Sequence, residues 1–187
     1  MPAATDIPKS VEIQKHLTSV HIDTWLKEDV FQIRWWILIF LVIASLIIWL
    51  ILLDKSKRKG VCLFAALAFI IVLAINEYGE ELALWDYPTD IIPIFPPLTS
   101  INLLILPLIY SLAYQYFETK KRFIWAALIM TTVVCFVIEP LLSWGGIYQL
   151  LHWQYFYSFP LFFFMALLVR YLTIKIDRIT EKSRHAV

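Results

Sequence analysis

The stretch WWILIFLVIASLIIWLILL, from Trp35 to Leu53, decides the class of fold. It carries no charged residue over its 19 positions. At a rise of 1.5 Å per residue, a helix of this length crosses the roughly 30 Å hydrocarbon core of a bilayer. The stretch therefore predicts a transmembrane helix.

Four further apolar stretches extend this pattern along the chain. They follow Gly60, run from about Leu98 to Phe117, run from Phe123 to about Leu142, and run from Pro160 to about Ile174. The hydrophobic fraction of 60% also exceeds the roughly 45–50% of a soluble domain. We predict an all-α polytopic membrane bundle of about five spans.

The distribution of Lys and Arg predicts the orientation of these spans. The connections Asp54–Gly60 and Glu118–Arg122 and the C-terminal tail are basic, whereas Leu82–Pro97 and Ser143–Ser158 contain no Lys or Arg. Because basic loops stay on the cytoplasmic side, we expect the C-terminus to be cytoplasmic and the N-terminus to lie outside. The expected location is a membrane, which the protein crosses several times.

Three regions follow from this topology. Residues 1–33 are expected to form an external tail, 34–177 the five-helix transmembrane domain, and 178–187 a cytoplasmic basic tail. In the external tail, Asp23 is a candidate N-cap for a short amphipathic helix that lies in the membrane interface. The alternative is that the first span extends outward as one continuous helix.

Acidic residues gather at the expected outer ends of the spans. Glu77 and Glu81 are four positions apart and share a helix face. Glu139 interrupts the fourth apolar stretch at a similar depth, and Arg34 precedes the first. Buried acids in a membrane serve acid/base chemistry, proton coupling or cation binding, although a tie between an acid and Arg34 would be purely structural.

The two outer loops are also rich in aromatic residues, which predicts an acidic, aromatic-lined pocket on the outer side. Interfacial aromatic belts are the alternative explanation, and the second loop has enough apolar residues to form an interfacial helix. Glu80 and Asp86 are expected to point into external water. The candidate ligand-binding residues are Glu77, Glu81, Glu139, Arg34, Trp85, Tyr87, Asn102, Tyr148 and His152.

The two outer loops resemble each other, which indicates a weak internal repeat. In each, a glutamate near the end of a span precedes Trp and Tyr, and a proline then opens the next span; Glu77 would correspond to Glu139. Such units would be related by an axis along the membrane normal. Shared interfacial chemistry explains the likeness equally well.

Several functions and sites find no support in the sequence. Near-neutral net charge argues against nucleic-acid binding, and metal-binding spacings and phosphate-binding loops are absent, so we expect no metal and no cofactor. Cys62 and Cys135 are expected to be small core residues. Arg170 is expected to snorkel to the cytoplasmic surface or to pair with Gln115, itself a candidate interhelical hydrogen-bond residue.

The succession of Trp35–Trp36, GEELALWDYP, FPP, LPLIYSLAYQY, a lone Glu-Pro and Trp153–Ser158 resembles a family of small, uncharacterised multi-pass membrane proteins of spore-forming Firmicutes. The resemblance covers most of the chain from Trp25 to Ser158 and implies a bacterial plasma-membrane protein without assigned catalytic residues. A looser likeness to bacterial carotenoid-cyclase domains does not extend to their paired acids after a proline.

The leading functional hypothesis is a non-enzymatic protein that binds a ligand, lipid or partner at the outer pocket. Expected partners are the lipid bilayer, a lipid head group or small cation, and a second copy or another membrane protein. One alternative is an enzyme that modifies a lipid or isoprenoid with glutamate acid/base groups. Another is a small proton- or cation-coupled transporter that acts as an oligomer.

Overall fold

The computed structural model describes residues 8–93 and 105–185, whose regular secondary structure is helical apart from one pair of two-residue strands. The N-terminal part contains α1 (Lys9–Thr24), a π-helical turn (Trp25–Asp29), α2 (Ile33–Leu52), α3 (Arg58–Glu81) and β1 (Trp85–Asp86). The C-terminal part contains α4 (Leu106–Tyr116), α5 (Lys120–Val133), a second π-helical turn (Val134–Ile138), α6 (Glu139–Trp144), β2 (Gln149–Leu150) and α7 (Tyr155–His185).

Four helical segments are long and apolar enough to cross a membrane. They are Ile33–Leu52, Arg58–Glu81, Lys120–Trp144 and Tyr155–Ser183. The expectation of an all-helical membrane protein is therefore confirmed at this level. The third expected span is represented by α4, which has 11 residues and begins just after positions 94–104, outside the described residues. Five spans and their orientation remain predictions.

The N-terminal tail differs from both expectations. Asp23 lies inside α1 and does not cap a helix, so the predicted helix start is wrong. The outward extension of α2 is also wrong, because Phe31 takes a positive φ of 63° and separates the π-helical turn from α2. The indole Nε1 atoms of Trp25 and Trp35 donate hydrogen bonds to the carbonyls of Asp90 and Ile91, at 3.0 and 3.2 Å. The tail is thereby tied to the first aromatic loop.

The core lies among α3, α4, α5 and α7. Its fully buried aromatic side chains include Phe64, Tyr110 and Phe123. Cys135 is buried in this core as expected, whereas Cys62 on α3 is exposed, so the prediction for Cys62 is wrong. Both thiols are free. α2 packs more loosely: its buried side chains are Leu38 and Trp49, and Trp49 Nε1 donates to the Ser111 hydroxyl at 2.8 Å.

Hydrogen bonds close the basic end of the bundle. Gln115 donates to the Leu52 carbonyl and accepts from the Asp54 amide, both at 2.9 Å, as its expected interhelical role requires. Arg170 neither snorkels nor pairs with Gln115. It is buried, donates to the backbone carbonyls of Phe117 and Glu118, and lies 4.6 Å from the centroid of the Phe123 ring. Its guanidinium thus satisfies carbonyls that the end of α4 leaves free.

The second outer loop is not an interfacial helix. Its residues Gln149 and Leu150 form β2, which pairs antiparallel with β1. Helix α7 begins at Tyr155, five residues before the predicted start, and Pro160 lies inside it. Pro160 is the sixth residue of α7, so it removes the amide that would otherwise bond to the Phe156 carbonyl.

The end of α3 and the end of α6 have the same local structure. α3 ends with the Leu84 amide bonded to the Gly79 carbonyl, and α6 ends with the Ile147 amide bonded to the Leu142 carbonyl. A residue of positive φ stands at the same place in each turn, Ala83 at 50° and Gly146 at 70°. Both turns are Schellman-type helix ends that lead directly into a strand.

The pairing of the strands gives the relation between these two units. Equivalent residues are 63 positions apart, as Ala83 and Gly146 are, so Asp86 corresponds to Gln149. Asp86 and Gln149 are also paired with each other across the strands. Two equivalent residues face one another in this way when a two-fold axis passes between them. The same offset makes Asn76, and not the predicted Glu77, the equivalent of Glu139.

Candidate functional site

The two strands form a cap over the acidic, aromatic end of the bundle. Trp85 is paired with Leu150 and Asp86 with Gln149. The Leu84 carbonyl extends the pairing, because it accepts from the amides of Leu151 and His152 at 3.0 and 2.9 Å. The cap therefore joins the two loops that the sequence assigned to one pocket.

Three of the predicted aromatic residues are buried beneath this cap. Trp85, Tyr87 and Tyr148 form one cluster, and the rings of Tyr87 and Tyr148 are 5.3 Å apart. His152 remains exposed beside the cluster, with Nδ1 3.1 Å from the Ala83 carbonyl. An aromatic belt at the lipid interface would leave such rings exposed, so their burial favours a role in building the site.

Trp85 reaches its position only because residue 79 is a glycine. A Cβ atom on Gly79 would lie 1.9 Å from Cζ2 of Trp85, which is a severe overlap. The cap therefore packs against α3 at Gly79. The Trp85 indole Nε1 is buried and has no hydrogen-bond partner in the described part of the chain.

Glu139 is the most deeply buried acid at this end, with 1% of its surface exposed. It is the first residue of α6, directly after the π-helical turn, and its Oε2 atom lacks a hydrogen-bond partner among the described residues. The Ser158 hydroxyl and the Tyr148 side chain lie near the carboxyl. A carboxylate inside a membrane bundle is costly, which makes Glu139 a candidate functional residue.

Asn76 occupies the corresponding position on α3, and the sequence analysis did not select it. Its Nδ2 donates to the Val72 carbonyl at 2.9 Å, and its Oδ1 accepts from the Tyr87 hydroxyl at 2.7 Å. Both polar atoms of the Asn76 side chain thus have hydrogen-bond partners, whereas Oε2 of Glu139 has none among the described residues. The sequence signal for Asn76 is an amide at the end of an apolar stretch, but the glutamates that follow it are the more conspicuous candidates.

A second buried polar contact lies deeper in the bundle and was also missed. The hydroxyls of Tyr110 and Thr131 are 2.6 Å apart, on α4 and α5. Tyr110 and the Cys135 thiol both lie close enough to Glu139 to interact with it electrostatically. Polar side chains therefore extend from Glu139 toward the centre of the core.

Glu77, Glu81 and Arg34 lie elsewhere. Glu77 and Glu81 are on the side of α3 opposite the face that buries Asn76 and Gly79; Glu77 is partly buried and Glu81 is exposed. Arg34 is exposed, and its Nη1 atom donates to the Gly146 carbonyl at 3.5 Å. Asn102 falls outside the described residues. The predicted set of acids is therefore divided between the core and the outer surface.

A second acidic pair stands beside the cap. Glu80 was expected in open water but is partly buried, and it interacts with Asp90. Each of these carboxyls has one buried oxygen without a hydrogen-bond partner among the residues described. Burial, followed by the charges of Asp86 and Asp29, raises the pKa of Asp90 to about 7. Asp90 is thus about half protonated near pH 7, where an ordinary aspartate is ionised.

An apolar groove of about 380 Å³ runs beside the cap, between the end of α3 and the beginning of α7. Its lining includes Ile71, Tyr78, Trp85, Trp153 and Leu161. Its lining is apolar, which suits a hydrocarbon chain.

The chain matches no family model, no curated protein and no solved structure. Its chemistry must therefore be judged from the site itself. Within residues 8–93 and 105–185, no group of three His, Cys, Asp or Glu side chains is arranged to hold a metal ion. What the arrangement offers is a buried hydrogen-bond acceptor, Glu139, beneath an aromatic cap and close to an apolar groove.

Proposed function

We propose that this is an integral membrane protein that binds a lipid-like amphiphile at its acidic, aromatic end. The supporting observation is the Glu139 carboxyl, which is buried and has an oxygen without a partner. An acceptor in that setting favours a ligand that brings a donor, either a hydroxyl or an ammonium group. The apolar groove beside the cap suits the hydrocarbon part of the same ligand.

The cap supplies the aromatic part of this site. Tyr148 and Trp85 are buried next to the carboxyl and the groove respectively. Entry to Glu139 requires the two strands to separate or to shift, because the carboxyl is covered in the closed arrangement. Two-residue strands are held by few hydrogen bonds, so such a movement costs little compared with opening the helix bundle.

The test is the set of small molecules that copurify with the protein from membranes, measured by mass spectrometry. We expect wild type and Glu81→Gln to carry the same amphiphile and Glu139→Gln to lose it. Glu81→Gln is the matched control, because it removes an exposed acid at the same end. Wild type that carries only bulk lipids, or Glu139→Gln that retains the amphiphile, would contradict the proposal.

Proton-coupled transport is a second candidate, favoured by the two-fold relation between the halves. Transporters built from repeats place their coupling groups at the repeat interface, and Asn76 and Glu139 are buried at equivalent positions. In liposomes with an imposed proton gradient, wild type would then carry a proton flux that Glu139→Gln abolishes. A lipid-modifying enzyme would instead alter the lipid composition of cells that contain the protein.

A further inference from the structure

The opposite end of the bundle contains a large groove, which none of the residues of the acidic, aromatic end line. Its volume is about 1100 Å³, and it lies between the first turns of α5 and the C-terminal half of α7. Ile124, Leu167 and Ile174 form its apolar wall. A groove that is this large and open to the side of a membrane helix bundle is accessible to lipid.

Basic residues border this apolar wall. Lys120 begins α5, and Lys175, Arg178 and Lys182 follow at intervals of three or four residues along one face of α7. Glu181 is the acid that lines the same groove. Among the described side chains, none of these four cations has a carboxylate within salt-bridge distance, since the ion pair of this end joins Lys57 and Glu118. The groove therefore carries unneutralised positive charge.

The order of these residues along the helices matches the order of groups in a phospholipid. Leu167 and Ile124 lie toward the middle of the bundle, and the cations lie toward its basic end. Acyl chains beside the former would bring a phosphate to the level of the latter. Basic pockets between membrane helices are a recognised setting for anionic head groups.

We infer that this groove binds an anionic phospholipid, with its acyl chains against Ile124 and Leu167 and its phosphate among Lys120, Lys175 and Arg178. Arg170 also lines the groove, but its hydrogen bonds to the α4 carbonyls make it part of the structure rather than a free contact. General attraction of a basic loop to an anionic surface would depend only on charge number. A site depends on which charges are present.

The experiment uses the full-length protein in a neutral detergent with phosphatidylglycerol, phosphatidylcholine or inorganic phosphate. We expect phosphatidylglycerol alone to raise the unfolding temperature and to remain bound in native mass spectrometry. The triple variant Lys120→Gln/Lys175→Gln/Arg178→Gln should lose affinity roughly a hundredfold, from about 1 kcal/mol per basic residue. The control Lys55→Gln/Arg58→Gln/Lys121→Gln removes three basic-end charges outside the groove and should bind like wild type.

Equal losses in the two triple variants would overturn the inference in favour of general surface attraction. An equal shift with phosphatidylcholine, or with inorganic phosphate, would overturn it as well, because the phosphate–glycerol lipid would then not be the ligand. If the triple variant fails to fold, the three single Gln variants are measured instead, and each should weaken binding of phosphatidylglycerol. Single variants that all bind like wild type would also refute it.

Discussion

The hydroxyl of Tyr87 donates a hydrogen bond to Oδ1 of Asn76 at 2.7 Å, between a loop residue and a buried position of α3. This bond satisfies the amide oxygen that the helix itself leaves free, because Asn76 Nδ2 already donates to Val72. It also fixes the ring of Tyr87 against Tyr148. The cap is thus attached to the helix bundle through one buried polar contact.

Removal of that contact predicts a measurable loss of stability. Tyr87→Phe keeps the ring and deletes the donor, so the free energy of unfolding should fall by about 1 kcal/mol. Thermal unfolding in detergent is the measurement. Tyr78→Phe is the control, because Tyr78 is 73% exposed and should leave the unfolding temperature unchanged. Equal effects of the two variants would mean that the hydrogen bond contributes nothing.

The contact between Gly79 and Trp85 predicts a strong steric effect. Gly79→Ala would place a Cβ atom 1.9 Å from the indole, and overpacking of this kind costs about 1–3 kcal/mol or more. Gly60→Ala is the control within the same helix, since its Cβ would meet its neighbours at an ordinary 3.4 Å. The double variant Gly79→Ala/Trp85→Leu should regain part of the lost unfolding temperature. If the double variant did not regain unfolding temperature, overlap with Trp85 would not be the cause of the loss.

Asp90 predicts a dependence of stability on pH. Burial raises its pKa from 3.8 to about 7, so the folded protein prefers the neutral carboxyl. The unfolded chain loses that proton near pH 4, whereas the folded chain keeps it until about pH 7. The contribution to stability is therefore complete below pH 4 and decreases as the pH rises to 7. The unfolding temperature should be higher at pH 5 than at pH 8.

Asp90→Asn tests the origin of this effect. The amide cannot ionise, so the difference in unfolding temperature between pH 5 and pH 8 should become smaller. Asp23→Asn is the comparison, because Asp23 is exposed on α1 and should keep the slope close to that of wild type. If the slope persisted in Asp90→Asn, the titration would belong to other groups; Asp86, Asp29 and Glu80 are the acids that interact with Asp90.

Substitution of Arg170 should lower the free energy of unfolding, because this residue bonds to backbone carbonyls at the basic end. Arg170→Met removes two charge-assisted hydrogen bonds to the carbonyls of Phe117 and Glu118, which should cost about 3 kcal/mol. Arg170→Lys should recover only part of this, because an ammonium lacks the planar fork that reaches both carbonyls. Arg122→Met removes an exposed cation and serves as the control in thermal unfolding. A control variant as unstable as Arg170→Met would refute the assignment.

The sequence predicted the helices better than the site, for a physical reason. Apolar stretches must cross a bilayer whatever their neighbours, so the long helices followed from composition and length. The pairing of Trp85 with Leu150 depends on contacts between distant segments, which no local pattern reveals. Glu139 was recognised because an acid between apolar residues is conspicuous. Asn76 was overlooked because an amide beside three glutamates is not.

The same limit explains the errors around the loops. Phe31 and Ala83 adopt positive φ, which few non-glycine residues do and which propensity does not foresee. Arg170 was assigned to the surface because a long cationic side chain usually reaches water. The end of α4 instead offered it two free carbonyls.

The bond between Tyr87 and Asn76 also bears on the order in which the chain is made. The two residues are only 11 positions apart, so the first half can hide its buried amide as soon as this loop has been synthesised. The cap, in contrast, needs β2, which the ribosome delivers more than sixty residues later. We therefore expect biogenesis to have two steps. In the early step, α3 and the loop that follows it become compatible with lipid by themselves. In the late step, β2 pairs with β1 and closes the cap.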